Sequence, residues 1–172
     1  IKNTYICSVI SKMRMKILAI GEIHHFEECR QKLGAHDYLH ATTHAEAGKM
    51  LTQSDLIFDF LIGDTPQAFQ MYVGKPGTAF LNTCKVTLAQ LACSVTEDIS
   101  CTIFGFNGFP TFFNRDALEV SLLSPDDGPS LKKVCMDLTT NYLLVDDRVG
   151  LVTHRVICMI INEAYYTVQE GT

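Results

Sequence analysis

The sequence is short of charge. Only 19% of its 172 residues are Asp, Glu, Lys or Arg and 47% are apolar, which excludes a disordered or solvating tail. An excess of positive charge is missing too: 14 basic residues stand against 19 acidic ones, so the footprint of a nucleic-acid binder is absent. No hydrophobic run reaches the roughly 18 apolar residues that a membrane span needs; the richest window, Leu151–Ile161, is broken by His154 and Arg155. No CxxC pair occurs among the seven cysteines, whose closest spacing is eight. That argues against a zinc site or a disulfide framework and for buried, reduced thiols in a cytoplasmic setting. There is no internal repeat and no signal-peptide layout before Met15, so residues 1–14 are expected to be an extension outside the fold. What remains is enough chain for one domain with a sizeable core.

Short apolar runs alternate with helical patterns. Lys16–Ile20 reads as a buried strand ended by Gly21, and Glu27–Leu33 as a helix closed by Gly34. His36–Thr42 leans to β, Ala45–Gln53 to helix, and Asp55–Ile62 reads as a second buried strand. Thr65–Val73 is expected to be helical, Thr78–Asn82 a strand and Leu88–Ala92 a helical turn. Cys101–Phe106 is a strand leading into a Gly/Pro/aromatic loop, Asn107–Phe113. Strand Leu118–Leu123, helix Ser130–Thr140 and strand Tyr142–Val145 follow. From Gly150, apolar residues at Val152, Val156, Met159, Ile160, Ala164 and Val168 recur at helical spacing. The pattern specifies an α/β fold: a mostly parallel sheet with helices on both faces, then one long helix of a different kind.

In a Rossmann unit the first strand runs into a glycine-rich turn that lets a pyrophosphate approach a helix N-terminus. The turn here is Gly21-Glu22-Ile23-His24-His25-Phe26. Only the first glycine remains, Glu22 adds a negative charge, and Ile23 and Phe26 bring Cβ atoms where the backbone should be bare. The second strand ends in Ala41-Thr42-Thr43 and lacks the acidic residue that holds ribose hydroxyls. His24 and His25 read as surface or loop histidines, or as cationic substitutes for the lost glycines. His36, His40 and His44, four residues apart, read as partly exposed histidines on a sheet edge; no carboxylate at ligand spacing makes them a metal site.

Four blocks carry a family likeness. They are Ser54–Asp64 (SDLIFDFLIGD), Asn82–Ala92 (NTCKVTLAQLA), Gly105–Ser121 (GFNGFPTFFNRDALEVS) and the C-terminal Gly150–Ile157 with Asn162-Glu163-Ala164 and Glu170-Gly171. In this order and spacing they resemble the 3-hydroxyacyl-CoA dehydrogenase family, clearly after Ser54 and in outline from Met15. The resemblance implies NAD as cofactor, an acyl-CoA ligand, and oxidation of a 3-hydroxyl by hydride transfer. In that family a histidine takes the hydroxyl proton, a glutamate twelve residues later orients it, and a serine and an asparagine complete the site. Carried onto this chain, the glutamate is Glu119, the histidine position holds Asn107, the serine position Cys84, and the asparagine position His154. On the cofactor side the matching positions are Gly21, Asp59 and Asn82.

An amide has no proton to exchange near neutral pH, so Asn107 cannot be a general base. Asn107 and His154 look like an exchange of the family's pair, which would make His154 the base with Glu119 as its partner; the plainer reading is a helix-face histidine. Glu119 itself also reads as an ordinary edge residue. Tyr165 and Tyr166 read as helix-packing aromatics, and Lys75, Lys85 and Arg115 as solvated charges or contacts for a CoA phosphate. Two functions stand: an NAD-linked oxidoreductase, or a non-catalytic binding protein on the same fold. The expected layout is a Rossmann-like domain over 15–145 and, over 146–172, the start of a helical domain in which the family dimerises, so a homodimer through the last helix is expected.

Overall fold

The computed structural model describes residues 14–171; the expected extension lies outside them, save Arg14. Seven strands form one sheet: β1 (Lys16–Ile20), β2 (Asp37–Ala41), β3 (Leu56–Asp59), β4 (Gly77–Asn82), β5 (Cys101–Phe106), β6 (Ala117–Leu122) and β7 (Asn141–Leu144). Their order is β2-β1-β3-β4-β5-β6-β7, and all neighbours are parallel except β5 and β6. The helices are α1 (Ile23–Leu33), α2 (His44–Ala47), α3 (Leu88–Cys93), α4 (Gly128–Leu138) and α5 (Thr153–Glu170). This is the doubly wound, Rossmann-like architecture that the alternation of runs specifies.

Side chains alternate across a strand with period two, and here both sets are apolar. Ile17, Ala19, Phe58, Phe80, Phe104 and Phe106 pack with Cys29 and Leu33 of α1 and Leu131 and Cys135 of α4. Leu18, Ile20, Ile57, Ala79 and Ile103 pack on the other face with Ala47, Leu88 and Leu91. Register adds a row of aromatics: Phe58 lies opposite Phe80 and Phe80 opposite Phe104, with ring centroids 4.8 and 5.0 Å apart. The chain leaves β1 toward β2, then returns past it to β3. The crevice at the carboxyl ends of β1 and β3 is therefore the switch point at which open α/β sheets bind ligands.

Several elements differ from the sequence expectation for identifiable reasons. α1 starts at Ile23, four residues early, so His24 and His25 lie in its first turn and not in a loop. The expected Ala45–Gln53 helix is one turn of α2, interrupted at Gly48, and a 3-10 turn at Leu51–Gln53. β3 stops at Asp59 because its carboxylate turns to accept the Leu61 and Ile62 N–H groups at 2.9 and 3.0 Å, offering the backbone a turn in place of a ladder. Pro66–Tyr72 is 3-10 rather than α. Cys29, Cys84, Cys101 and Cys135 are buried as expected, but Cys93 and Cys158 are exposed. The edge histidines are more engaged than expected. His36 is buried, His40 Nε2 bonds the Gly21 carbonyl at 2.8 Å, and His44 Nε2 bonds Asp59 at 2.8 Å.

α5 stands apart from the core. None of its residues is buried, and Val156, Met159, Ile160, Ile161 and Val168 are exposed. Tyr165 and Tyr166 are exposed as well, so the expectation that they pack the helix down does not hold among the described residues. No helix is long and apolar enough to cross a membrane.

Candidate functional site

Two groups of residues meet at the carboxyl edge of the sheet. The first surrounds the β1–α1 turn. Gly21 N–H donates to the Ala41 carbonyl at 2.9 Å, and Glu22 N–H donates to His25 Nδ1 at 3.2 Å. A Cβ on Gly21 would lie 2.8 Å from His25 Nδ1, so glycine is required by the imidazole folded over it. That ring stacks on Phe60 at 4.5 Å; burial, aided by His24, lowers its pKa to about 4, and it is neutral near pH 7. The Glu22 carboxylate stands at the N-terminus of α1, where the helix dipole favours an anion. His24 Nδ1 lies 3.4 Å from it, and His24 Nε2 is buried without a hydrogen-bond partner.

The strand-end residues expected on the cofactor side are turned inward. Asp59 is fully buried. Its oxygens accept from His44 Nε2, the Tyr72 hydroxyl at 2.8 Å and two backbone N–H groups. Asn82 donates to the Phe60 carbonyl at 3.1 Å and accepts from the Cys84 and Gly108 N–H groups at 3.3 and 3.2 Å, stapling β3, β4 and the β5 loop together. A Cβ on Gly108 would lie 2.9 Å from Asn82 Cγ, so this closeness also needs glycine. The acid missing from the end of β2 is supplied by a residue not singled out from the sequence. Glu46 of α2 brings its Oε2 to the Thr42 N–H and hydroxyl at 2.9 and 2.8 Å, and these bonds hold its pKa below the usual range. Its signal was present as Thr43-x-x-Glu46, a helix-start pattern in which Thr43 Oγ1 accepts from Glu46 N–H at 3.3 Å. A dinucleotide at this edge would meet the Glu46 carboxylate at the end of β2 and the Glu22 carboxylate at the N-terminus of α1.

The second group lies where β4 and β5 end and β6 and α5 begin, and it brings together all four expected catalytic positions. Glu119 Oε1 accepts from the Thr153 N–H at 3.0 Å and from the Thr153 hydroxyl; its Oε2 accepts from Asn107 Nδ2 at 3.1 Å. A carboxylate only accepts, so this contact fixes the amide's orientation. Asn107 Oδ1 then accepts from the Cys84 thiol at 3.2 Å and from the Phe109 N–H at 3.3 Å. With its proton given to Asn107, the sulfur is an acceptor for His154 Nδ1 at 3.9 Å. Burial pushes the Cys84 pKa up to about 11, so the thiol keeps that proton. His154 sits between Phe109 and Phe112, with ring centroids 4.6 and 4.7 Å away. Burial lowers its pKa, with Arg115 adding to this and Glu119 opposing it. Its Nε2 is buried without a hydrogen-bond partner.

The direct Glu119–His154 contact expected from the sequence is not made; Asn107 and Cys84 stand between the two. The arrangement is a one-way chain of donors, His154 to Cys84 to Asn107 to Glu119. It leaves the second imidazole nitrogen carrying a lone pair, which is the form a base or a hydrogen-bond acceptor needs. Two strained residues flank the site: Thr111 (φ 72°) and Leu151 (φ 48°) hold left-handed backbone. Of the basic residues expected near the cleft, Lys85 pairs with Asp64, Lys75 lines a cavity with Met71, Pro76 and Cys101, and only Arg115 is near His154. No group of three His, Cys, Asp or Glu suited to a metal occurs among the described residues.

No protein-family model and no curated protein sequence matches the chain. Solved structures do match, and they show the fold: this chain has that of the Rossmann-type dehydrogenases. The 3-hydroxyacyl-CoA dehydrogenases share that fold with it. The (S)-3-hydroxybutyryl-CoA dehydrogenase PaaH1 of Ralstonia eutropha aligns over 92% of this chain at 12% identity and a TM-score of 0.59. The 3-hydroxybutyryl-CoA dehydrogenase of Escherichia coli aligns over 92% at 13% identity and a TM-score of 0.59. An NAD+-dependent dismutase, 5-formyl-3-hydroxy-2-methylpyridine 4-carboxylic acid 5-dehydrogenase, aligns over 92% at 14% identity and a TM-score of 0.64. The chain spans 73%, 44% and 66% of these three proteins respectively.

Proposed function

We propose that this chain is a divergent 3-hydroxyacyl-CoA dehydrogenase-type oxidoreductase in which His154, and not residue 107, handles the proton of the substrate hydroxyl. The observation that carries the reading is the donor chain from His154 through Cys84 and Asn107 to Glu119, which ends in a buried, unpartnered His154 Nε2. A hydroxyl placed at that nitrogen meets a neutral imidazole with its lone pair toward the ligand. Glu119, held by Thr153 and Asn107, favours the positive charge that His154 gains on taking the proton. Phe109 and Phe112 fix the ring and keep water from it. NAD, when bound, would supply the hydride acceptor; Glu46 would hold its ribose and His24 would lie beside its pyrophosphate.

The remaining features fit this reading. The sheet domain over 15–145 serves as the nucleotide and acyl-CoA platform. Residues 146–172 open a helical segment whose exposed apolar face suits a second subunit. The buried thiols suit a reducing cytoplasm.

The test is NAD-linked oxidation of 3-hydroxybutyryl-CoA, followed as NADH absorbance, with the His154→Asn variant alongside. The reading expects turnover in the parent chain and a fall of ~10²–10⁴-fold in the variant, the usual contribution of a positioned base. Turnover indifferent to His154→Asn would overturn the assignment. Absence of both turnover and NAD binding would favour a non-catalytic binding protein on the same fold.

A further inference from the structure

A cavity of about 150 Å3 opens beside this site, lined by Asn107, Phe112, Arg115, Ala117, Glu119, Leu143 and Thr153. Most of its wall is apolar or already hydrogen-bonded. Glu119 faces it with both oxygens engaged by Thr153 and Asn107. Arg115 is the exception. Its guanidinium stacks over the Phe112 ring at 4.2 Å, yet no carboxylate lies within ion-pair distance of it among the described residues. It is also held in place from behind. Lys32 of α1 donates to the Arg115 carbonyl, Asn114 Nδ2 donates to Gln31 Oε1 at 3.3 Å, and Thr111 N–H donates to Glu28 Oε1 at 3.1 Å. Three ties to α1 therefore fix the loop that carries it. Phe112 touches both Arg115 and His154, so the unpaired cation and the imidazole pack against one aromatic ring.

A planar guanidinium ordered on an aromatic face and lacking an acid of its own is suited to a carboxylate, which it can grip through two N–H groups. The volume is that of a small molecule. A cavity near 150 Å3 holds on the order of six or seven heavy atoms, the size of a four-carbon hydroxy acid. We propose that Arg115 is the carboxylate-binding residue of this cleft and that the substrate class is a short hydroxy acid with a free carboxylate. This rests on the reading of the cleft as a hydroxyl-oxidising site and changes the substrate assigned to it: Arg115 would hold a free carboxylate in place of the CoA thioester.

The experiment is an NMR titration of the full chain with 3-hydroxybutyrate, read at the His154 ring resonances, alongside its neutral isostere 3-hydroxybutanamide. Saturable shifts are expected with the acid and none with the amide. Arg115→Leu should weaken acid binding at least about tenfold, and Arg115→Lys should restore part of it because the charge returns without the fork. Arg115 is exposed, so an unchanged melting temperature in both variants is expected. Equal binding of acid and amide, acid binding indifferent to Arg115→Leu, or no acid binding at all would each overturn the proposal. The failure of this inference is separable from that of the function: His154-dependent oxidation of 3-hydroxybutyryl-CoA without acid binding overturns only the former. Arg115-dependent acid binding without turnover overturns only the latter.

Discussion

The two ends of the cleft differ in where their polar groups find partners. Beside the β1–α1 turn and at the ends of β3 and β4, most polar groups are satisfied within the chain: Gly21 by Ala41 and His40, Asp59 by four donors, Asn82 by three backbone groups, with His24 Nε2 the exception. At the end of β5 and the start of β6 the four residues form a chain that stops at an atom with nothing to bond. The strand-end groups on the first side thus bond mainly to the chain itself, while the four residues around His154 converge on one another. The difference matters because an unsatisfied buried polar atom costs about 1–3 kcal/mol, a cost that a bound ligand removes.

Breaking either end should reveal which role it plays. The largest effect on stability is expected at the closed end. Asp59→Ala leaves His44, Tyr72 and two backbone N–H groups without an acceptor, and should lower unfolding free energy by about 3–5 kcal/mol in urea titrations. His154→Asn should leave the unfolding free energy within about 0.5 kcal/mol while removing turnover. Equal stability losses at the two positions would erase the contrast. Next comes the charge at the turn. Glu22→Gln should tighten NAD binding about tenfold in calorimetry, since it removes a like charge at the pyrophosphate. Unchanged or weaker binding would mean the phosphates do not approach α1.

A smaller effect is expected along the donor chain. Cys84→Ala should slow turnover on the order of tenfold, the loss of about one hydrogen bond, and Cys84→Ser should recover most of it because a hydroxyl both donates and accepts. The smallest is a pH effect. His25 has a folded pKa of about 4 against 6.5 when exposed, so between these values the unfolded chain binds more protons. Its contribution to stability is thus complete above pH 6.5 and is lost as pH falls toward 4. Thermal melts of His25→Gln should show a flatter dependence over this window.

The fold was legible because its signal is local. Runs such as Lys16–Ile20 and Cys101–Phe106, apolar on both faces and ended by glycine or a loop, point to buried parallel strands whatever lies around them. The likeness of the four blocks located Glu119, Asn107, Cys84 and His154 together, 70 residues apart at the extremes (Cys84 to His154). What escaped was set by side chains reaching across loops. The early end of β3 depends on the Asp59 carboxylate bending to its own backbone. His44 became a half-buried partner of Asp59 only because β2 and β3 both pair with β1. Glu46 was readable as a helix-start residue, yet its place at the end of β2 depends on the tight turn through Thr42 and Thr43. The interposition of Cys84 between His154 and Asn107 is likewise a matter of angles, which spacing does not encode.

The most direct test of the central claim is the protonation state of one ring. With 15N-labelled histidine, NMR at pH 7 reports which His154 nitrogen carries the proton. The donor chain predicts a neutral ring protonated at Nδ1 with a bare Nε2, and a shift toward the other tautomer in Cys84→Ala but not in Cys84→Ser. A His154 protonated at Nε2, or at both nitrogens, would contradict the account.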